Sequence, residues 1–239
     1  MRQHSSHWIP RTYPLPPFFP ICASYAKVYE SRKRIFIVIH RALDEVFRSW
    51  SHVAALRALL DTSSGFTGNE VARVSGMQPR SALRALSALE ELGIVRRQRG
   101  GRDHIFTLNR EHVLVCDALL PLYHSERQLP EVVKTAIAQI LKGSVMSAVM
   151  FGSVAKAEET PQSDLDLCCV VKTNREKEIV RTRLDAESDM LYQKFGVKVA
   201  PVIFTVDEIR KKGRTLLVRD ILAHGKLIAG KPFKGLLHG

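Results

Sequence analysis

Between residues 51 and 110 the apolar positions first recur at helical spacing and then alternate. The run SHVAALRALLD sets Val53, Leu56, Leu59 and Leu60 along one side of a helix. After the turn TSSGF, the stretch TGNEVARVSG has Thr67 followed three residues later by Glu70. That is the spacing of a capping box, and it predicts a second, short helix ending near Gly76. Pro79 suits the first position of a third helix. This helix runs through RSALRALSALEELG, with Leu83, Leu86, Leu89 and Leu92 as the expected buried side and Gly93 as its stop. Two strand-like runs, IVRRQR and DHIFTL, follow and are joined through Gly100-Gly101 as a β-hairpin.

The second half has a different rhythm. Residues 111–145 are helical and connecting, with Val115, Leu119, Leu120, Val132, Val133, Ile137 and Ile140 as apolar positions. Pro121 and Pro130 interrupt the pattern and predict two helices there. Beyond them come a strand over 148–151, a helix-like turn, a strand over 165–171, a long helix over 175–195, a strand over 197–204 and C-terminal helices. Thr173 and Glu176 form a capping box for the long helix, whose Val180, Leu184, Leu191 and Phe195 share one face. No internal repeat is evident. The expected class is α+β, in four segments: a leader (1–34), a first folded domain (35–110), a helical connector (111–145) and a second domain with a small mixed sheet (146–239).

Composition narrows the partners. Lys and Arg number 36 against 24 Asp and Glu, a formal net charge of +12. This favours a polyanion, with nucleic acid first and an acidic protein second. Five of the eleven prolines fall in the first twenty residues, so residues 1–34 are expected to be disordered or to be an overextended start of the reading frame. The four cysteines, Cys22, Cys116, Cys168 and Cys169, show no CxxC spacing and read as thiols of a reducing compartment. No apolar run approaches the roughly 20 residues needed to span a bilayer. Pro14, Pro16, Pro17 and Pro20 break up the one signal-like stretch. A cytoplasmic protein without a membrane partner is expected.

The order helix, helix, helix, hairpin over about 60 residues resembles the winged helix-turn-helix DNA-binding domains of prokaryotic transcriptional regulators. The resemblance implies double-stranded DNA as a partner. A recognition helix presents its N-terminal side chains to base edges, which points to Gln78, Arg80, Ser81 and Arg84. A wing reaches phosphate or the minor groove, which points to Arg97, Arg99 and Arg102. Winged helices often bind paired half-sites, so a homodimer is compatible with this reading. Some winged helices instead bind proteins.

The chemistry concentrates in MFGSVAKAEETPQSDLDLCCVV, residues 150–171. An apolar strand feeds into Gly152-Ser153, and Asp164 and Asp166 follow. Alternation along a strand puts both carboxylates on one face while Leu165 and Leu167 face the core. Two such carboxylates suit Mg²⁺, which takes carboxylates together with substrate phosphates. Gly152 would let a phosphate approach the backbone, and Ser153 would offer a hydroxyl and an amide.

The pattern Gly-Ser, spacer, Ser-Asp-x-Asp resembles the nucleotidyltransferase signature of the polymerase β superfamily. Its flavour is that of the minimal nucleotidyltransferases, some of which carry a winged helix ahead of the domain. The resemblance implies that Gly152, Ser153, Lys156 and Ser163 handle a nucleoside triphosphate (NTP) and that Asp164 and Asp166 are catalytic ligands of Mg²⁺. Two departures accompany it. The family's glycine four residues after the serine is Ala157 here. Its third carboxylate, on a later strand, has no counterpart in GVKVAPVIF, where Ala200 falls at the aligned place. Two readings follow. One is a DNA-binding nucleotidyltransferase that transfers a nucleoside monophosphate to a hydroxyl. The other is a catalytically degenerate regulator or antitoxin-like protein that binds nucleotide or a protein partner, such as a HEPN-type toxin.

Overall fold

The computed structural model describes residues 39–237 apart from Arg102 and Arg214. The expected leader (1–34), the expected folded start at residue 35, and Arg102 lie outside the described residues. The chain divides into two compact units, one running through Val115 and the other from Cys116 onward. Helices and two sheets make the class α+β, as the pattern predicts. No described helix is long and apolar enough to cross a membrane.

The first unit runs α1 (Ala42–Val46), α2 (Trp50–Leu60), β1 (Phe66–Thr67), α3 (Gly68–Val74), α4 (Pro79–Glu91), β2 (Val95–Gly100) and β3 (Asp103–Leu108). Ser49 starts α2 by accepting from the His52 amide. At α3 the capping box is complete: the Thr67 side chain accepts from the Glu70 amide, and the Glu70 carboxylate accepts from the Thr67 amide. The β2–β3 hairpin pairs from Val95↔Leu108 to Gly100↔Asp103, and β1 joins its β3 edge. Gly101 turns the hairpin at φ +65°, a conformation that a residue with a Cβ rarely adopts.

The buried stripe of α4 differs from the leucine series. Ala82, Ala85, Leu86 and Leu89 are buried, whereas Leu83 is 43% exposed and Leu92 is half-buried. A repeat of three falls short of the helical turn, so a series spaced 83, 86, 89, 92 drifts around the axis, and only its middle members stay inside. The small alanines let α4 sit close to α2 and α3, around Leu56, Leu59, Val71 and Phe106.

The second unit contains α5 (Leu120–Ile140), β4 (Ser147–Phe151), α6 (Gly152–Lys156), β5 (Leu165–Val171), α7 (Asn174–Ala186) and α8 (Ser188–Phe195). It continues with β6 (Val199–Thr205), α9 (Val206–Lys211), α10 (Leu216–His224), β7 (Lys226–Gly230) and α11 (Lys234–Leu237). Two boundaries correct the expectation. The prolines do not divide α5. Pro121 follows directly on a π-helical turn, Val115–Leu119, that runs into α5, and Pro130 lies inside α5 on an exposed stretch where water reaches the backbone. The long helix over 175–195 is two helices that meet at Glu187, where the Ser188 hydroxyl donates to the Asp185 carbonyl at the end of α7.

The four-stranded sheet has the order β6-β5-β4-β7, with β5 parallel to β6 and the other pairs antiparallel. Alternation divides it into two apolar faces. Leu165, Leu167, Cys169 and Val171 of β5 join Val133 and Ile137 of α5 and Val180 and Leu184 of α7. Cys168 and Val170 face the other way, onto Ile209 of α9, Val218 and Ile221 of α10, and Leu236 of α11. Asp166 belongs by alternation to this second face, the one that α10 covers.

Candidate functional site

Strand β4 ends at Phe151 and the chain turns at once into the short helix α6. Gly152, the first residue of α6, has φ +72°, and a Cβ there would overlap the Asp166 carboxylate. Glycine is therefore required twice, by backbone conformation and by the space that Asp166 occupies. The Gly-Ser and Asp-x-Asp halves of the sequence pattern meet at this point, because the β4–β5 register sets Phe151 opposite Asp166.

Asp166 is half-buried between two buried leucines, and Asp164 is exposed one residue ahead of β5. Burial raises the Asp166 carboxyl above its ordinary range, and the charges of Asp164 and Asp220 add to the effect. Ser153 is half-buried on α6, next to Gly152. Ser163 lies in the loop ahead of Asp164. Its hydroxyl accepts from the Thr160 amide at 2.9 Å and its own amide donates to the Thr160 carbonyl, closing a turn that delivers Asp164 to the strand. Ala157, at the aligned glycine position, ends α6 in the left-handed region at φ 58°.

Lys156, at the end of α6, pairs with Asp220 of α10 at 2.6 Å. The hydrogen bond to Asp220 holds its ammonium above the usual range. Asp220 is held below the usual aspartate range, chiefly by Lys156 and in addition by the Gly152 amide, which donates to it. Sequence reading missed Asp220. It stands in the amphipathic run LLVRDILAH, where an acid between apolar positions carries no signal of a site, and only the docking of α10 through Val218 and Ile221 brings it to Gly152.

On the neighbouring strand the parallel register sets Ala200 beside Asp166, so the aligned third position presents a methyl group. Glu208 lies just beyond that strand but is engaged elsewhere. It caps α9 through the Thr205 amide and pairs with Lys177 of α7. Asp207 is the neighbouring residue in the first turn of α9.

In the first unit, Gln78 stands just before α4 and is exposed, as are Arg80, Ser81 and Arg84 on the helix. Arg80 and Arg84 are one turn apart on the side away from the buried alanines. Arg99 is exposed on β2. Arg97 is placed differently. Its guanidinium lies over the Phe106 ring at 5.4 Å and approaches Glu90 at 3.7 Å, leaving the side chain 28% exposed.

Residues 131–228, which include the Gly152 turn, Asp164, Asp166, Lys156 and Asp220, match the family model of the nucleotidyltransferase domain. No curated protein matches the chain. Among solved structures, a toxin–antitoxin crystal structure with AMP-PNP is similar at 15% identity and a TM-score of 0.31, covering 44% of this chain and 80% of that one. A mutant of the toxin–antitoxin pair MntA-HpeT is similar at 13% and 0.30, again covering 44% of this chain and 80% of that one. TrmBL2, described as an archaeal chromatin protein with a novel mode of DNA binding, is similar at 16% and 0.26, covering 76% of this chain and 72% of that one.

Proposed function

We propose that the second unit is a Mg²⁺-dependent nucleotidyltransferase that moves a nucleoside monophosphate from an NTP to a hydroxyl acceptor, and that the first unit is a winged helix that binds double-stranded DNA. The observation that carries the enzymatic half is the meeting of Gly152 and Asp166 inside the matched segment. A positive-φ glycine leaves room for a half-buried carboxylate at the very turn where Ser153 and the first α6 amides begin.

The donor set fits Mg²⁺. Among the described residues no three His, Cys, Asp or Glu side chains form an all-protein cage. Mg²⁺ does not require one, since it is commonly held by one or two carboxylates plus substrate phosphates. Asp164 and Asp166 would hold it, and when bound it would neutralise phosphate charge. Ser153 and the α6 amides would receive the phosphates, with Lys156 adding a cation beside them. The acceptor oxygen bonds to the α-phosphorus as the bond to the bridging oxygen breaks. Pyrophosphate leaves with that electron pair, and the acceptor's proton passes to solvent.

Ala200 favours a second reading, in which the domain holds nucleotide without transferring it. With a methyl group beside Asp166, one carboxylate fewer surrounds the metals that in-line transfer generally uses. Label transfer from α-labelled ATP separates the two. Transfer by the wild type that disappears in Asp164→Ala plus Asp166→Ala supports the enzyme. Transfer that survives the double substitution overturns it. Nucleotide binding without transfer in the wild type supports the second reading.

A further inference from the structure

We propose that Asp220 is a positioning residue of the nucleotide site, holding the Lys156 ammonium and the Gly152 amide where the α6 turn receives a triphosphate. This rests on the nucleotide reading above. Asp220 is itself firmly placed. Its helix opens on Thr215, whose side chain accepts from the Val218 amide. Val218 and Ile221, on either side of it, are buried against the sheet face that carries Asp166. The carboxylate thus arrives from a rigid element and takes hold of two groups on a helix of only five residues.

Lys156 would otherwise sample many rotamers at the end of that short helix, since lysine carries a flexible four-carbon stem. Pairing at 2.6 Å, with the two side chains only 30% and 29% exposed, fixes the ammonium before ligand arrives. Ordering a side chain during folding removes that cost from the binding step. The same carboxylate anchors the first amide of α6, so the turn and its lysine are set as one piece. Asp220 also adds negative charge near Asp166, to which the neighbouring strand β6 offers only the methyl of Ala200. Three carboxylates against one lysine leave the cluster with an excess of negative charge, which a divalent cation accompanying the triphosphate would balance.

The test measures MgATP binding by calorimetry, together with Tm, on the full chain. Asp220→Asn keeps an oxygen for the Gly152 amide but loses the charge that holds Lys156. It should weaken MgATP binding roughly tenfold, as expected when a hydrogen bond to a charged group is lost, with Tm lowered by only a few degrees. Asp220→Glu, which keeps the charge, should bind within about threefold of the wild type by the same reasoning. The exchange Lys156→Asp with Asp220→Lys separates positioning from simple bracing. It restores a pair and so restores Tm, but it presents a carboxylate to the phosphates, so binding stays weak. Full recovery of binding in the exchanged chain makes the pair merely structural and overturns the proposal. Binding in Asp220→Asn equal to or tighter than wild type overturns it as well. A wild type that does not bind MgATP sinks the nucleotide reading and the proposal together, whereas wild-type binding that Asp220→Asn leaves intact sinks the proposal alone.

Discussion

On α4, Arg80 and Arg84 stand one turn apart on a single helix, and their placement needs little more than Pro79 at the helix start and buried Ala82, Ala85 and Leu86 on the other side. Around Asp166 the charged groups come from four elements: β5 itself, the loop before it, α6 and α10. The first arrangement is written into one stretch of chain. The second exists only once a sheet has paired and a helix has docked on it. The difference shows in how each charge is held. The α4 arginines project into solvent, while Asp166 is half-buried and the side chains of the Lys156–Asp220 pair are partly covered. Lys156 and Asp220 shift each other's protonation, and Asp220 adds to the shift of Asp166. An exposed cation can move to meet phosphate, whereas a partly buried cluster is fixed beforehand and acts at a defined point.

The largest expected effect breaks one side of this comparison and spares the other. Asp164→Ala with Asp166→Ala should lower label transfer from α-labelled ATP by about a thousandfold or more, in line with the loss of an electrostatic centre of catalysis, and leave DNA affinity unchanged in gel shifts. Gly152→Ala tests whether the two halves of the motif share space. It should cost about 2 kcal/mol or more, from the left-handed backbone and the overlap with Asp166. Part of that loss should return when Asp166→Ala is added, as read from hydrogen exchange of β5.

On the basic side, Arg80→Ala with Arg84→Ala should weaken DNA binding about tenfold or more and flatten its salt dependence, since each lost phosphate contact removes about one released counterion. Arg97→Ala should behave differently, because its guanidinium rests on Phe106. It should lower stability by about 1 kcal/mol and disturb DNA binding less than the α4 pair does. Ala157→Gly should stabilise the chain by about 1 kcal/mol in denaturant melts, since alanine there is held at φ 58°.

The smallest effect sharpens the contrast between local and tertiary control. Glu70 and Glu208 occupy equivalent capping boxes, and both carboxyls are held below the usual range. For Glu70 the leading cause is the Thr67 amide; for Glu208 it is Lys177 of α7. A carboxyl depressed by folding contributes stability above its unfolded pKa and loses it as pH falls through the folded value. Lys177→Met should therefore raise the Glu208 titration midpoint followed by NMR and trim the acid limb of stability, while the Glu70 midpoint stays where it was.

Legibility followed the range of the rule applied. Capping boxes at Thr67 and Thr173 were readable because donor and acceptor lie within one turn. The strand over 165–171 was readable because its apolar run is a property of a single segment. The leucine series on α4 misled because three-residue spacing looks helical over one step and drifts over several. Pro130 misled because a proline breaks a helix on local grounds, yet an exposed helix face tolerates one. The long helix hid its break at Glu187, where nothing in the sequence announces a stop.

By itself the sequence determined the α+β class, the cationic face of α4, and the Gly-Ser and Asp-x-Asp pairs, since each depends on residues a few positions apart. Only the tertiary structure decided that Gly152 yields space to Asp166, that Ala200 stands beside that aspartate, and that Asp220 closes the cluster by gripping Lys156. Strand register and helix docking are set by burying apolar faces far apart in the chain, and the polar groups carried on those faces meet at places that no sequence spacing records.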